Sequence, residues 1–95
     1  MKLVVFSGTS EGHALCRVLS ARGARAGVYV ATEYGAAVME PMDGITVHEG
    51  RLDTAEIAAR LDADTLLIDA THPYAAAVTD NLRAACARTG AQYER

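Results

Sequence analysis

The sequence has no tryptophan, one phenylalanine and four tyrosines, and its nine lysines and arginines are outnumbered by twelve aspartates and glutamates. A net charge of −3 with so few aromatic faces supplies neither a basic stripe for the phosphates of a nucleic acid nor platforms for its bases, which argues against a nucleic-acid partner. Cysteine occurs twice, as Cys16 and Cys86, far apart and without a CxxC pairing. That spacing indicates no disulfide framework, and both residues fall on helix faces, where they read as buried free thiols. No set of histidines, cysteines or acids has metal-ligand spacing. No apolar run approaches the roughly 20 residues of a membrane helix, and the start MKLVVF is too short for a signal-peptide core. A cytoplasmic protein with no membrane association is expected. Internal repeats and low-complexity linkers are missing too. What remains is a chain of 95 residues, 51% hydrophobic and 22% charged, which has the composition of one small globular domain rather than of a disordered segment.

Along the chain, apolar runs alternate with helical periods. Lys2 to Phe6 reads as a strand covered on both faces. A helix follows, capped by Thr9 or Ser10, with Leu15, Val18 and Leu19 as its apolar stripe and Gly23 as its end. Ala26 to Ala31 reads as a second strand, Gly35 to Met39 as a short helix stopped by Pro41, and Ile45 to His48 as a third strand. Asp53 and Glu56 have capping-box spacing, which predicts a helix over 54 to 62 with Ile57 and Leu61 on one face. Thr65 to Asp69 is a fourth strand. Val78, Leu82, Ala85 and Cys86 then mark a helix from Ala75 to Thr89, closed by Gly90, and AQYER begins another strand. Such alternation predicts an α/β fold, an open parallel sheet of four to five strands with flanking helices, in strand order 3-2-1-4-5 or 2-1-3-4-5. A domain rarely ends on a strand that has just begun, so the chain is expected to be cut before a second domain. The sheet edge exposed there favours self-association.

The two sets of loops differ in chemistry. Helix-to-strand connections read RGAR, PMDG, DAD and TGA, which is generic turn material. Strand-to-helix connections read SGTSEG, TEYG, EGRLD and DATHPYA and concentrate hydroxyls, carboxylates, an arginine, a histidine and tyrosines. Open α/β sheets bind ligands outside the carboxyl ends of their strands, so this edge is the candidate site. SGTSEG supplies Gly8 for close backbone approach and the hydroxyls of Ser7, Thr9 and Ser10 beside a helix N-terminus, features that suit a phosphate. It is neither a full G-x-G-x-x-G nor a P-loop, Glu11 counts against an anion, and simple helix capping explains the hydroxyls equally well. Glu33 stands where nucleotide-binding folds keep an acid for ribose hydroxyls, and no arginine nearby selects a 2′-phosphate, so the choice between NADP and NAD stays open. Asp69, His72 and a serine can be drawn as a hydrolase triad. With no G-x-S-x-G elbow, a turn-forming Asp69 and a ligand-facing His72 are the better reading. His13 and His48 read as an exposed helix residue and a strand-end residue.

Taken in order, SGTSEG, ATEYG, EGRLD and DATHPYA, followed by AC…TG…Y.R, resemble the N-terminal half of the precorrin-6A reductases of cobalamin biosynthesis over nearly the whole chain. The resemblance implies a Rossmann-like domain of a two-domain oxidoreductase, which transfers a hydride from NADPH to the macrocycle of precorrin-6A to give precorrin-6B in the cleft between its domains. It further implies that Ser7, Gly8, Thr9, Ser10, Arg51 and the His72-Pro73-Tyr74 turn line the cleft; Ser7, Gly8, Thr9 and Ser10, with Glu33 from its place after the second strand, are the candidates to face the cofactor. Arg51, Thr71, His72 and Tyr74 would face the substrate, with His72 and Tyr74 as the candidate catalytic residues. An arginine and hydroxyl donors suit a macrocycle bearing many carboxylates, and His72 would protonate or position the reduced ring. Ser7 and His13 stand where relatives often carry glycine and arginine. The alternative is a non-catalytic phosphate- or nucleotide-binding module that works through a partner domain.

Overall fold

The computed structural model describes residues 1–31 and 40–95. Among the described residues eight elements follow one another: β1 (Lys2–Ser7), α1 (Ser10–Ala21), β2 (Ala26–Val30), β3 (Ile45–Glu49), α2 (Thr54–Ala58), β4 (Thr65–Ala70), α3 (Ala76–Thr89) and β5 (Gln92–Glu94). The helix expected over Gly35 to Met39 and the candidate Glu33 fall outside the described residues.

The strands form a single sheet of order β3-β2-β1-β4-β5, parallel at every pairing. This is the α/β, Rossmann-like arrangement, and it selects 3-2-1-4-5 from the two orders the sequence allowed. The central pairing runs from Lys2 opposite Thr65 to Ser7 opposite Ala70. From β1 the chain moves outward through α1 to β2 and β3, then crosses back through α2 to β4 on the other side of β1. The loops leaving β1 and β4 therefore diverge, and a crevice opens between them.

Alternating side chains sort the core into two layers, as a strand's twofold period requires. Val4 and Phe6 of β1 and Leu67 of β4 meet Ile57, Leu61, Leu82, Ala85 and Cys86 from the side of α2 and α3. Val5 of β1 with Val28 and Val30 of β2 meets Cys16, Leu15 and Leu19 of α1 on the opposite face. Leu67 and Leu82 are wholly buried, and each such side chain contributes about 1.5–3 kcal/mol of transfer free energy. Both cysteines are free and buried, and burial raises their thiol pKa values.

Two details differ from the sequence pattern, in α1 and in α2. The buried face of α1 is Gly12 and Cys16, flanked by Leu15 and Leu19, while Val18 is half exposed. It lies round the helix from the stripe at i, i+3, i+4 and i+7. The capping box of α2 forms as expected, Glu56 N donating to Asp53 Oδ1 at 2.8 Å and Asp53 N to Glu56 Oε1 at 3.0 Å. The helix nevertheless ends at Ala58 instead of residue 62. Arg60 N and Leu61 N bond the carbonyls three residues back, which tightens the last turn, and the Asp62–Thr65 side-chain bonds then turn the chain into β4. α3 stops at Gly90, whose φ of 81° is the left-handed cap that glycine reaches without strain. Among the described residues no helix is long and apolar enough to cross a membrane.

Candidate functional site

The crevice between the β1 and β4 loops holds an open cavity of about 550 Å³, lined by Gly8, Thr9, Ser10 and Glu11 on one side, Asp69 to Pro73 on the other, and Arg95. Its first wall is built by the end of β1 and the start of α1. Thr9 is the N-cap: extended at φ −134° and ψ 166°, it accepts Gly12 N at 3.2 Å and donates its hydroxyl to Ala70 O at 3.0 Å. Gly8 N also donates to Ala70 O, at 3.3 Å. Two bonds to one carbonyl thus tie the first loop to the end of β4. The capping reading of SGTSEG is observed, and it does not exhaust the N-terminus of α1: capping consumes Gly12 N, while helix geometry leaves the amides of Ser10 and Glu11 without intrahelical acceptors.

The glycines divide the labour differently from the sequence reading. Gly8 has no positive φ, and its turn needs no glycine on conformational grounds. A Cβ there would stand 3.8 Å from Thr71 Cα and 3.9 Å from His72 N, covering the floor of the cavity beside the second loop. Gly12 is the sterically constrained position. A Cβ on it would overlap Ser7 Oγ and stand 3.1 Å from Ser7 Cβ and 3.2 Å from Ala70 Cβ. Ser7 is accordingly buried beneath α1 and does not line the cavity. The positions 7, 9 and 12 have the spacing of G-x-G-x-x-G with only the last glycine kept, and Gly12 performs that glycine's role of close helix-to-strand packing. The spacing was the signal that could have singled out Gly12.

The second wall is organised by Asp69, which is 3% exposed. Its Oδ1 accepts Thr71 N at 3.1 Å and Thr71 Oγ1 at 2.6 Å, the expected turn. Its Oδ2 accepts Thr79 Oγ1 at 2.8 Å, Tyr93 OH at 2.7 Å and Arg95 Nη1 at 2.9 Å, none of which the sequence analysis foresaw. Burial pushes the carboxyl pKa up, but the bonds from Thr71, Tyr93 and Thr79 together outweigh it and hold the group below its ordinary value. Tyr93 is raised in turn, by burial and then by the bond to Asp69.

His72 Nδ1 accepts Tyr74 N at 3.2 Å, and the two rings lie 4.9 Å apart at 38°. With Nδ1 accepting, the neutral ring carries its proton on Nε2. The Asp69-to-His72 bond that a hydrolase triad requires is absent, because each group is engaged elsewhere. His72 and Thr71 line the cavity, whereas the exposed Tyr74 and Arg51 stand outside it on the same sheet edge. His13 is half-buried rather than exposed, and exposed His48 stacks on Tyr29 at 4.7 Å. Among the described residues no group of three or more His, Cys, Asp or Glu could hold a metal ion.

No solved structure matches the chain. It is 38% identical over 95 residues to a cobalt-precorrin-6A reductase of Salmonella typhimurium, a match covering 98% of this chain and 36% of that protein. It is 36% identical over 102 residues to a cobalt-precorrin-6A reductase of Methanothermobacter thermautotrophicus, covering all of this chain and 32% of the relative. A precorrin-6A reductase of Rhodobacter capsulatus is 36% identical over 91 residues, covering 94% of this chain and 36% of the relative. The chain thus spans about a third of the length of these relatives. The match to the family described as precorrin-6x reductase CbiJ/CobK runs over residues 2–95, and the chain belongs to that family.

Proposed function

We propose that this chain forms the cofactor-holding domain of an NADPH-dependent reductase of the precorrin-6A macrocycle, acting in cobalamin biosynthesis in the cytoplasm. The observation that carries the reading is the cavity at the divergence of β1 and β4, with a floor at Gly8 that any side chain would fill and the start of α1 opening onto it. Phosphates of a dinucleotide fit there, against the free amides of Ser10 and Glu11 and the Ser10 hydroxyl. Thr9 shapes this cradle through its bonds to Gly12 and Ala70, and Ser7 supports it from beneath. Glu33 would hold the ribose. The bound nicotinamide supplies the hydride, so the protein's task is orientation and the exclusion of water. Thr71 and His72 at the cavity, with Tyr74 and Arg51 further along the edge, would receive the carboxylated macrocycle. The Nε2–H of neutral His72 would orient the macrocycle through a hydrogen bond, and the proton that completes the reduction would come from solvent. The greater length of the relatives supports a second domain closing the cleft.

The test uses the full-length gene product with precorrin-6A and NADPH. The expected result is loss of NADPH absorbance in step with a change in the macrocycle spectrum, slower with NADH. An enzyme that leaves both spectra unchanged would sink the reading.

A further inference from the structure

The Y.R ending, Tyr93 and Arg95, is absorbed by no role so far, yet both residues reach the cavity's buried carboxylate. Register explains how. Tyr93 pairs with Leu67 and Glu94 with Ile68, so β5 runs alongside β4 and delivers Arg95 beside Asp69 at the ligand edge. The Arg95 side chain is 37% exposed, against 0% for Asp69, and it lines the cavity opposite Gly8 to Glu11.

A guanidinium has five N–H donors in a rigid fork. Arg95 Nη1 donates to Asp69 Oδ2 and, at 3.2 Å, to Thr79 Oγ1; Nη2 donates to Thr71 O at 3.4 Å. Nε–H and the second Nη2–H have no partner among the described residues. The fork is therefore held on three sides by its own fold, and its remaining donors are free at the cavity. Asp69 cancels its charge, and Glu11 on the far rim adds one negative charge. Such surroundings disfavour a dianion. They suit a singly charged oxyanion, either a diester phosphate of the cofactor or a carboxylate of the macrocycle.

We propose that Arg95 is an oxyanion-reading residue of this cavity and that Asp69 is the residue that positions it. The assignment rests on reading the cavity as the cofactor and substrate cleft. Because Asp69 acts through Arg95, the two substitutions must not add: with the fork gone, nothing remains at the ligand for Asp69 to aim.

The full-length gene product is titrated by fluorescence and calorimetry with NADPH, ADP-ribose, whose two diester phosphates are each singly charged, and the polycarboxylate macrocycle uroporphyrin, below the melting temperature of each variant. The variants are Arg95→Met, Arg95→Lys, Asp69→Asn and Asp69→Asn/Arg95→Met, with Arg88→Met as a charge control. Losing charge-assisted bonds from a fork weakens binding about tenfold or more. Arg95→Met is expected to show that loss, Asp69→Asn a comparable one, the double variant no more than Arg95→Met alone, and Arg95→Lys partial rescue. A loss confined to NADPH and ADP-ribose makes the anion a phosphate, and a loss confined to uroporphyrin makes it a carboxylate. Wild-type affinity of Arg95→Met for all three probes overturns the assignment and leaves the cleft reading intact. Additive losses in the double variant overturn the positioning role of Asp69. A wild-type protein that binds none of the probes removes the cleft reading, and the assignment with it.

Discussion

Replacing Gly12 with alanine tests whether α1 starts where the cradle requires it. In an exposed helix interior, Gly→Ala stabilises by about 1 kcal/mol through helix propensity. Here the new Cβ would overlap Ser7 Oγ and approach Ser7 Cβ and Ala70 Cβ to 3.1 and 3.2 Å. The Ser7 hydroxyl can rotate away, but the two Cβ atoms are fixed to β1 and β4, so α1 must lift. Overpacking of this kind costs about 1–3 kcal/mol. With two of the neighbours rigid, the upper half of that range applies, and the propensity gain offsets part of it. Gly12→Ala should then destabilise by about 1–2 kcal/mol, lowering Tm by about 4–8 °C for each kcal/mol in a domain of this size. Ser7→Gly removes two of the three contacts. In that background Gly12→Ala should be close to neutral or stabilising, so the double-mutant cycle should report a coupling of about 2 kcal/mol. Urea and thermal unfolding of the four proteins, followed by circular dichroism, measure it. A Gly12→Ala chain more stable than wild type in the Ser7 background, or strictly additive effects, would refute the packing on which the cavity's first wall depends.

Asp69 and Tyr93 set opposite ends of a pH profile. The folded pKa of Asp69 lies below its unfolded value of about 4, so its stabilisation is complete above that value and lost as pH falls through the folded one. The folded pKa of Tyr93 lies above its unfolded value of about 10, so its contribution is present below that value and lost as pH rises through the folded one. Urea midpoints across pH should show Asp69→Asn flattening the acid limb and Tyr93→Phe the alkaline limb; unchanged limbs would contradict the network. Thr9→Ala should cost about 0.5–2 kcal/mol, the range for a lost N-cap oxygen, while Thr9→Ser keeps both bonds and most of the stability. Equal losses for the two would show that the hydroxyl does not matter. Cys16 and Cys86, buried with raised pKa values, should resist Ellman's reagent in the native chain and react fully in denaturant. Rapid native labelling of either would contradict its place in the core.

The layers of the fold were legible because they are written in local periods. Lys2 to Phe6, the Asp53–Glu56 capping box and the stop at Gly90 all appear where pattern and cap chemistry put them. The site edge was legible too, because only the strand-to-helix loops carry varied polar chemistry. Long-range register was not. Strand order follows from which side of β1 receives β4, and no local period reports that. Arg95 and Tyr93 meet Asp69 across 26 and 24 positions only because β5 pairs with β4. Ser7 read as a phosphate donor because its hydroxyl is conspicuous in sequence, whereas burial under Gly12 is a property of the helix's approach. The shortened α2 reflects competition at its end, where the Asp62–Thr65 turn closes the chain before another α-turn can form.

The most direct measurement is a fluorescence titration of the 95-residue chain with NADPH, beside a Ser10→Asp variant. Aspartate at a first helical position favours α1 through its dipole, leaving the fold as stable as before or more so. The same carboxylate repels a phosphate at that position. Saturable binding to the wild-type chain, weakened on the order of tenfold or more in a variant whose Tm is unchanged or raised, is the predicted result. Equal affinity in the two proteins, or no binding by a well-folded wild-type chain, would contradict the placement of the cofactor's phosphates in the cavity between β1 and β4.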